Sequence, residues 1–223
     1  MKKIKANVPT RKKIKLNWFK AKCDFNIERK IEIQYTANDV SSNKLKWDAI
    51  VKYVLVKVGD LLNKDIPSNS PMTLYKNGMP FLFLNTAESS GTKINSENMI
   101  DDDIIVDDDI VNISEGVPKV TYEDASNPKE QIEVRTRYDK ISRKITIENK
   151  LNNEIDLTFD FKQTKDVTFV KSEPEPSLIE EPNYKYNIKI PSESKSSIVL
   201  ELQAKIVSRI TKIKPEFLKP PKE

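Results

Sequence analysis

Apolar residues occupy every second position in several segments of the second half of the chain. The alternation is clearest in residues 155–161, and it recurs in residues 184–190 and 200–206. Strands with one buried face and one solvated face produce this period of two. We therefore expect at least three strands to share one apolar layer.

Seven segments after residue 116 have strand patterns separated by turn residues. They are 117–123, 131–138, 144–150, 155–161, 167–171, 184–190 and 197–207. Residues 139–142 and 151–154 are expected to be the turns that set the register of the middle strands. Seven short strands in about 90 residues are typical of an immunoglobulin-like β-sandwich, although the cysteines and core tryptophan of an antibody domain are absent. We expect a mainly β protein with such a sandwich at its C-terminus.

The first half is predicted to be a β-rich subdomain with one helix. Alternation in residues 14–18 and 23–35 predicts two or three strands. In residues 46–63 the apolar side chains follow a helical stripe, with Asn43 as a suitable N-cap, and this favours a helix packed on the core. The β-branched run 53–58 would also fit a sheet, which is the alternative.

Asn77-Gly78 is the clearest local signal in the chain. It separates the apolar segments 72–76 and 79–84, and Asn-Gly supplies the positive φ angles that a two-residue hairpin needs. Pro80 lacks an N–H and is therefore expected on an unpaired edge. Residues 86–99 are polar and predict a surface loop of poor order.

Prolines and turn residues suggest three parts: a subdomain at 1–116, the sandwich at 117–210 and a proline-rich tail at 211–223. The tail is expected to be extended because its prolines cannot continue a sheet. Phe217 and Leu218 within it would be costly to leave in water, so we expect a surface to receive them. Pro80, Phe217 and Leu218 are thus the candidate interaction residues.

Composition excludes several classes of site. The chain of 223 residues has four glycines, one cysteine (Cys23) and no histidine. Glycine-rich phosphate loops, intrachain disulfides, zinc sites containing histidine and Cys-His catalytic pairs are therefore not expected. No apolar run suits a signal peptide or a membrane span. We expect a cytoplasmic protein without a cofactor, a metal or catalytic residues.

Six aspartates, at 101–103 and 107–109, flank the short apolar segment 104–106. Carboxylate oxygens bind hard cations, but the spacing lacks the glycine and closing glutamate of an EF-hand loop. We expect a solvated acidic rim on either side of a buried strand, or an electrostatic partner for the basic N-terminal segment.

The first 22 residues are rich in lysine, and their candidate nucleic-acid contacts are Arg11, Lys12, Lys13, Lys15 and Trp18. Lysines neutralise phosphates and aromatic rings stack on bases, so this segment suits RNA or single-stranded DNA. We favour the other interpretation, which is a strand that buries its apolar residues and points its lysines into solvent.

Several motifs follow one another in a characteristic order along the chain. Residues 31–35, Trp47, Tyr53 and the hairpin come first, and residues 145–150 (Ile-Thr-Ile-Glu-Asn-Lys), an alternating strand and then 184–191 follow. This order resembles the DUF4139 family, which includes the proteins called mucoidy inhibitor A. The first group is similar to the upstream strands of that family, and the second group is similar to its C-terminal module. The resemblance implies a strand at 53–58, in place of the helix, and it implies no established reaction. Longer members of the family also carry an N-terminal domain and a coiled coil, which we do not expect in this chain.

Three functions follow from these features. The first is an interaction or assembly protein that binds a protein partner or itself through exposed strand edges and the tail. The second is a nucleic-acid-binding protein that uses the basic segment. The third is a hydrolase that uses the aspartates with a metal, which requires converging carboxylates. We expect the first, because the residues of catalytic sites are missing.

Overall fold

The computed structural model describes residues 25–57, 66, 68–76, 78–87 and 91–217, and almost all of its regular structure is strand. The strands are β1 (Phe25–Ile33), β2 (Lys44–Val56), β3 (Pro71–Lys76), β4 (Met79–Asn85), β5 (Lys93–Asn95), β6 (Met99–Ser114), β7 (Lys119–Asp124), β8 (Glu130–Asn149), β9 (Ile155–Lys162), β10 (Val167–Glu173), β11 (Leu178–Glu180), β12 (Asn183–Ile190) and β13 (Ser194–Ile213). Short 3-10 helices lie at Asp39–Ser41 and Pro215–Phe217. The prediction of a mainly β protein is confirmed.

The chain forms two compact units. The larger contains the described residues of Glu28–Val51 and Met99–Glu223, and the smaller contains the described residues of Met1–Ile27 and Lys52–Asn98. These units follow different ranges from the predicted parts 1–116, 117–210 and 211–223. In the larger unit β6 and β8 pair side by side across the predicted boundary at residue 116.

Strands of the larger unit form a sheet in the order β10-β13-β8-β6-β2-β1-β9-β12-β11, with β7 also beside β8. Most pairs are antiparallel, but β1 is parallel to β9. A flat sheet of nine strands would separate its outer strands by roughly 38 Å. Residues 174–177 join the outer strands β10 and β11, and a linker of that length spans at most about 18 Å. The sheet must therefore curl until its two ends approach each other.

Contacts between the two ends show this curl. The ring of Phe169 on β10 stacks on Tyr184 of β12 with centroids 4.1 Å apart. The Tyr186 hydroxyl, also on β12, donates a hydrogen bond of 2.8 Å to Ser172 Oγ on β10. The rolled sheet encloses one apolar core, whose members include Ile31, Ile33, Ile145, Ile147, Leu157, Phe159, Phe161, Leu200 and Leu202. The immunoglobulin-like arrangement within it stays a prediction.

The predicted helix at 46–63 is wrong over residues 46–56, which belong to strand β2. Residues 44–48 pair with 105–109 of β6, and residues 54–56 pair with β5. β-branched side chains restrict χ1 in a helix but pack well on a pleated surface. Sheet partners distant in sequence therefore outweighed the helical stripe. Residues 58–63 lie outside the described residues.

Two further local predictions are wrong. Residues 139–142 are no turn, because β8 runs through them and pairs with β13 along its whole length. Residues 86–99 are not simply a loop of poor order, since they include β5 and the buried Ser96, whose Oγ accepts from the Tyr53 N–H. The connection at 151–154 between β8 and β9 is present as predicted.

Strand β13 extends to Ile213, so the first residues of the predicted tail still pair with β8. The chain then enters the 3-10 helix at Pro215–Phe217. Residues 211–213 can pair in the ladder because none of them is proline, so each keeps its backbone N–H.

In the smaller unit, β3 and β4 form the predicted hairpin. Lys76 pairs with Met79, which leaves a two-residue turn, and Gly78 within it has a φ of +81°. A residue without Cβ adopts this angle at no steric cost. Leu74 and Leu84 are buried on one face of the hairpin. Among the described residues no helix is long and apolar enough to cross a membrane.

Replacing Phe159 with alanine should cost about 3–5 kcal/mol of unfolding free energy, because the ring is fully buried. Its centroid lies 5.3 Å from that of Tyr186 on the paired strand. Chemical denaturation measures the loss, with Asp156→Ala on the exposed face of β9 as control. A loss below about 1 kcal/mol would show that the core is placed incorrectly.

Candidate functional site

Arg143 of β8 and Asp108 of β6 form a fully buried ion pair in the larger unit. Both side chains have no exposed surface, and Nε of the arginine lies 2.8 Å from Asp108 Oδ1. In the β6–β8 ladder Arg143 stands opposite Ile110, so it reaches Asp108 along the diagonal on the same face of the sheet. Arg143 also occupies the same phase of β8 as the core residues Ile141 and Ile145.

Backbone carbonyls satisfy the rest of the guanidinium. Nη1 donates to the carbonyls of Val40 at 2.9 Å and Ser42 at 2.8 Å, in the segment that joins β1 to β2. Nη2 donates to the Asp108 carbonyl at 3.3 Å. A buried charge is stable only when such partners replace water, so the arginine fixes this connection against the sheet.

Two aromatic side chains complete the environment of the carboxylate. The Tyr35 hydroxyl and Trp47 Nε1 both donate to Asp108 Oδ2, at 2.7 and 2.9 Å. The guanidinium lies 5.2 Å from the centre of the Tyr35 ring, within range of a cation–π contact. Burial, and next the nearby Asp108 carboxylate, raise the pKa of Tyr35 well above its ordinary value. The phenol therefore stays protonated and remains a donor.

The predicted solvated acidic rim is wrong for two of its six aspartates. Asp108 is buried in the cluster above, and the largely buried Asp101 accepts from Arg29 Nε at 2.8 Å. The other four members are exposed or half-buried along β6. Alternation along a strand splits the run between its two faces, so the carboxylates do not converge. No group of three or more acidic or cysteine side chains among the described residues is placed to hold a metal ion.

A groove of about 290 Å³ lies on the outside of the rolled sheet. It is lined by Arg29, Asp156, Leu157, Thr158, Asn187, Ile188 and Lys189. Its charged side chains are already engaged, because Arg29 pairs with Asp101 and Lys189 lies 3.7 Å from Asp156. The remaining polar side chains of the groove are the Thr158 hydroxyl and the Asn187 amide, which lie beside these ion pairs.

A three-stranded ribbon of the larger unit has mostly exposed side chains. It consists of β7, residues 130–137 of β8 and residues 206–213 of β13, and we call it the exposed ribbon. β8 and β13 each have 20 residues and are therefore about 66 Å long, whereas the residues that they contribute to the apolar core of the rolled sheet end at Ile141 and Ala204. The two strands continue past the core, and β7 joins them there.

Apolar side chains are exposed on both faces of this ribbon. Paired residues share a face in an antiparallel ladder, so Val120, Tyr122 and Ile210 lie on one face. Val207 and Ile213 lie on the other. Tyr122 is 59% exposed and Ile213 is 53% exposed. All six residues of β7 are exposed.

A tight crossing anchors the base of the exposed ribbon. A Cβ at Gly116 would lie 2.2 Å from the Tyr138 carbonyl oxygen, so only glycine fits where the chain leaves β6 and enters β7. The Gly116 N–H donates to Asp139 Oδ1 at 3.0 Å. Asp139 also accepts from Arg137 Nε at 3.1 Å. The position of β7 beside β8 is thus fixed by backbone contact and by a buried carboxylate.

Glu133 connects the three strands of the ribbon. Its carboxylate is almost fully buried and accepts from Arg135 on β8 and from Lys212 on β13. The Tyr122 hydroxyl on β7 donates a long hydrogen bond of 3.5 Å to Glu133 Oε2. The hydrogen bonds from Lys212, and next from Arg135, lower the pKa of Glu133.

The predicted interaction residues are only partly within the described structure. Pro80 is exposed and pairs with Tyr75 in the two-stranded β3–β4 hairpin. Phe217 lies in the 3-10 helix that follows β13, and it is 48% exposed. Leu218 and the candidate nucleic-acid residues Arg11, Lys12, Lys13, Lys15 and Trp18 lie outside the described residues.

Comparisons with protein-family models, with curated proteins and with solved structures give no significant match for this chain. The resemblance to the DUF4139 family therefore stays a prediction based on the order of motifs. The strand that it implied at 53–58 is present as far as Val56.

Sequence reasoning missed the buried ion pair, although its signal was present. Arg143 interrupts the apolar phase that contains Ile141 and Ile145, and Asp108 follows Ile104 and Val106 at the same spacing. A charged residue on the buried face of a strand requires a partner. Two such residues of opposite charge therefore predict an ion pair between them. Their contact was hidden because 35 residues separate them in sequence.

Replacing Arg143 with methionine should lower the unfolding free energy by about 3–5 kcal/mol, because Asp108 would stay buried without its cation. Arg143→Lys should also destabilise, since one ammonium cannot reach the carboxylate and both carbonyls. Chemical denaturation measures both, with Arg209→Met as control because that side chain is 64% exposed. Equal losses for Arg143→Met and the control would contradict the structural role.

Acid should weaken the exposed ribbon through Glu133. Because its folded pKa is lowered from 4.5, its stabilising contribution is complete above about pH 4.5 and is lost as the pH falls through the folded pKa. The difference in unfolding free energy between the wild type and Glu133→Gln should shrink on acidification through this range. Urea denaturation at a series of pH values tests this, and a difference that grows toward acid would contradict it.

Proposed function

We propose that this chain is a non-catalytic interaction or assembly protein that binds a protein partner, or further copies of itself, through exposed strands. The exposed ribbon is the observation that carries the proposal. A ribbon with apolar side chains on both faces is costly to leave in water, and exposed apolar patches commonly mark sites of association. Tyr122 on the edge strand β7 suits an interface, because a tyrosine ring can pack against a partner while its hydroxyl keeps a hydrogen bond.

Rigidity of the ribbon supports the same proposal. Gly116 and Asp139 fix its base, and Glu133 joins all three of its strands. A surface held in one conformation loses less entropy on binding than a mobile loop does. The ribbon is therefore suited to present a fixed edge and two fixed faces to a partner.

The charge clusters support a non-catalytic role. Arg143 and Asp108 are sealed in the core, where no substrate reaches them, and their donors and acceptors are engaged by the fold.

We include in the proposal secondary contacts at Pro80 of the hairpin and at Phe217. An immunoglobulin-like arrangement of the sandwich and a cytoplasmic location are part of the same proposal.

Cross-linking with a lysine-reactive reagent in native extract tests the proposal. The exposed ribbon and its turn carry Lys119, Lys129 and Lys212 at accessible positions. We expect intermolecular cross-links at these lysines, either to another protein or to a second copy. Val120→Ser combined with Tyr122→Ser should weaken the complex by about 2 kcal/mol, as expected for the loss of a central aromatic contact.

Val170→Ser is the matched control, because Val170 is a similarly exposed apolar residue on β10, 56% exposed. It should leave the cross-links unchanged. A chain that runs as a free monomer in native extract, or complexes whose cross-links avoid the ribbon, would refute the proposed surface. Circular dichroism of each variant confirms that the sheet is intact.

A further inference from the structure

The outer edge of β7 lacks the features that protect the edges of the large sheet at β10 and β11. The edge strand β11 has only three residues, and β10 has a register shift between Phe169 and Lys171. Short strands and bulges are the features by which proteins prevent edge-to-edge pairing. β7 pairs with β8 over six consecutive residues without a shift, and all six are exposed. Its outer row of backbone donors and acceptors is therefore regular and accessible.

The sequence of β7 is self-complementary about Thr121. In an antiparallel pair of identical strands, opposed residues must belong to the same hydrogen-bonding class, so the two residue numbers add to an even sum. Centring the pair on Thr121 sets Lys119 opposite Glu123 of the second copy and Val120 opposite Tyr122. Thr121 faces its own equivalent. Opposite charges, an aromatic with a β-branched residue, and two threonines are each favourable cross-strand pairs.

The register shifted by one residue toward the C-terminus is less favourable. Centring on Tyr122 sets Val120 opposite Asp124 and Thr121 opposite Glu123, and it leaves Lys119 without a carboxylate opposite. Within the described residues Lys119 has no ion-pair partner in its own chain, whereas Glu123 lies 3.6 Å from Arg209. In the register centred on Thr121, Glu123 gains a second cation and Lys119 gains its first carboxylate.

We infer that β7 pairs with β7 of a second copy in this register, which makes a twofold dimer with a continuous six-stranded ribbon. The inference rests on the proposed function and names the partner. Val120 and Tyr122 share a face, so the pairing places both residues of each copy in one apolar cluster at the junction of the two β7 strands. Because the strands are antiparallel, the rolled sheets lie at opposite ends of the ribbon and do not overlap. A contact of one strand pair is smaller than a standard interface, so the dimer dissociates on dilution.

Charge exchange across the pair tests the register in the purified full chain. Lys119→Glu alone, or Glu123→Lys alone, places like charges opposite each other twice in every dimer. Each should raise the dissociation constant roughly tenfold. An equimolar mixture of the two single variants restores opposite charges in the heterodimer, and so does the double exchange in one chain. Both should return to within about threefold of the wild type.

Sedimentation equilibrium over a range of concentrations measures these constants, with Lys189→Glu as the charge-matched control because Lys189 is 72% exposed and lies on β12. Hydrogen exchange should also show β7 amides gaining protection as concentration rises. A wild type that stays monomeric up to about 1 mM overturns the inference. So does a dissociation constant that Lys119→Glu changes no more than the control, or a mixture that fails to recover.

Failure of this inference and failure of the proposed function give different results. A monomeric wild type whose ribbon lysines still cross-link to another protein in native extract refutes β7 self-pairing and keeps the interaction role. Absence of any ribbon cross-link refutes the interaction role itself.

Discussion

The buried pair of Arg143 and Asp108 is the constraint on which the larger unit depends. A guanidinium without exposed surface must find a partner for its donors inside the protein, and here those partners come from β6 and from the connection between β1 and β2. Residues near the start of the described chain are therefore tied to a strand about 100 residues later. Residues of the apolar core flank this ion pair, so loss of the ion pair would also disturb the packing of the core.

Removing one member of such a pair and replacing both are different perturbations. With Arg143 absent, the Asp108 carboxylate keeps the donors Tyr35 and Trp47 but loses its counter-charge. Even a paired apolar replacement would leave the carbonyls of Val40 and Ser42 and the two aromatic donors without partners. The cluster is therefore harder to substitute than an isolated buried ion pair, for which apolar replacement is often neutral.

The two longest strands explain the division between stable core and exposed surface. Over the core, the inward positions of β8 are mostly apolar, with Arg143 and the terminal Asn149 satisfied by hydrogen bonds. Farther out, the same phase carries Arg137, Arg135 and Glu133, and the apolar core does not extend to these positions. Ribbons of few strands are marginal when isolated. Here continuity with the core strands and the Glu133 contacts hold the ribbon in place, and its edge stays open for pairing.

The sequence by itself determined several strands of the C-terminal part and the hairpin turn. Alternation in 155–161, 184–190 and 197–207 gave the strands of the C-terminal part, and Asn77-Gly78 gave the turn, because period and turn chemistry are local properties. The tertiary structure decided that β2 is a strand, that β8 runs through 139–142, and that Asp108 is buried. Each of these depends on pairing with residues far away in the chain, and a local pattern carries no information about which distant strand supplies the partner.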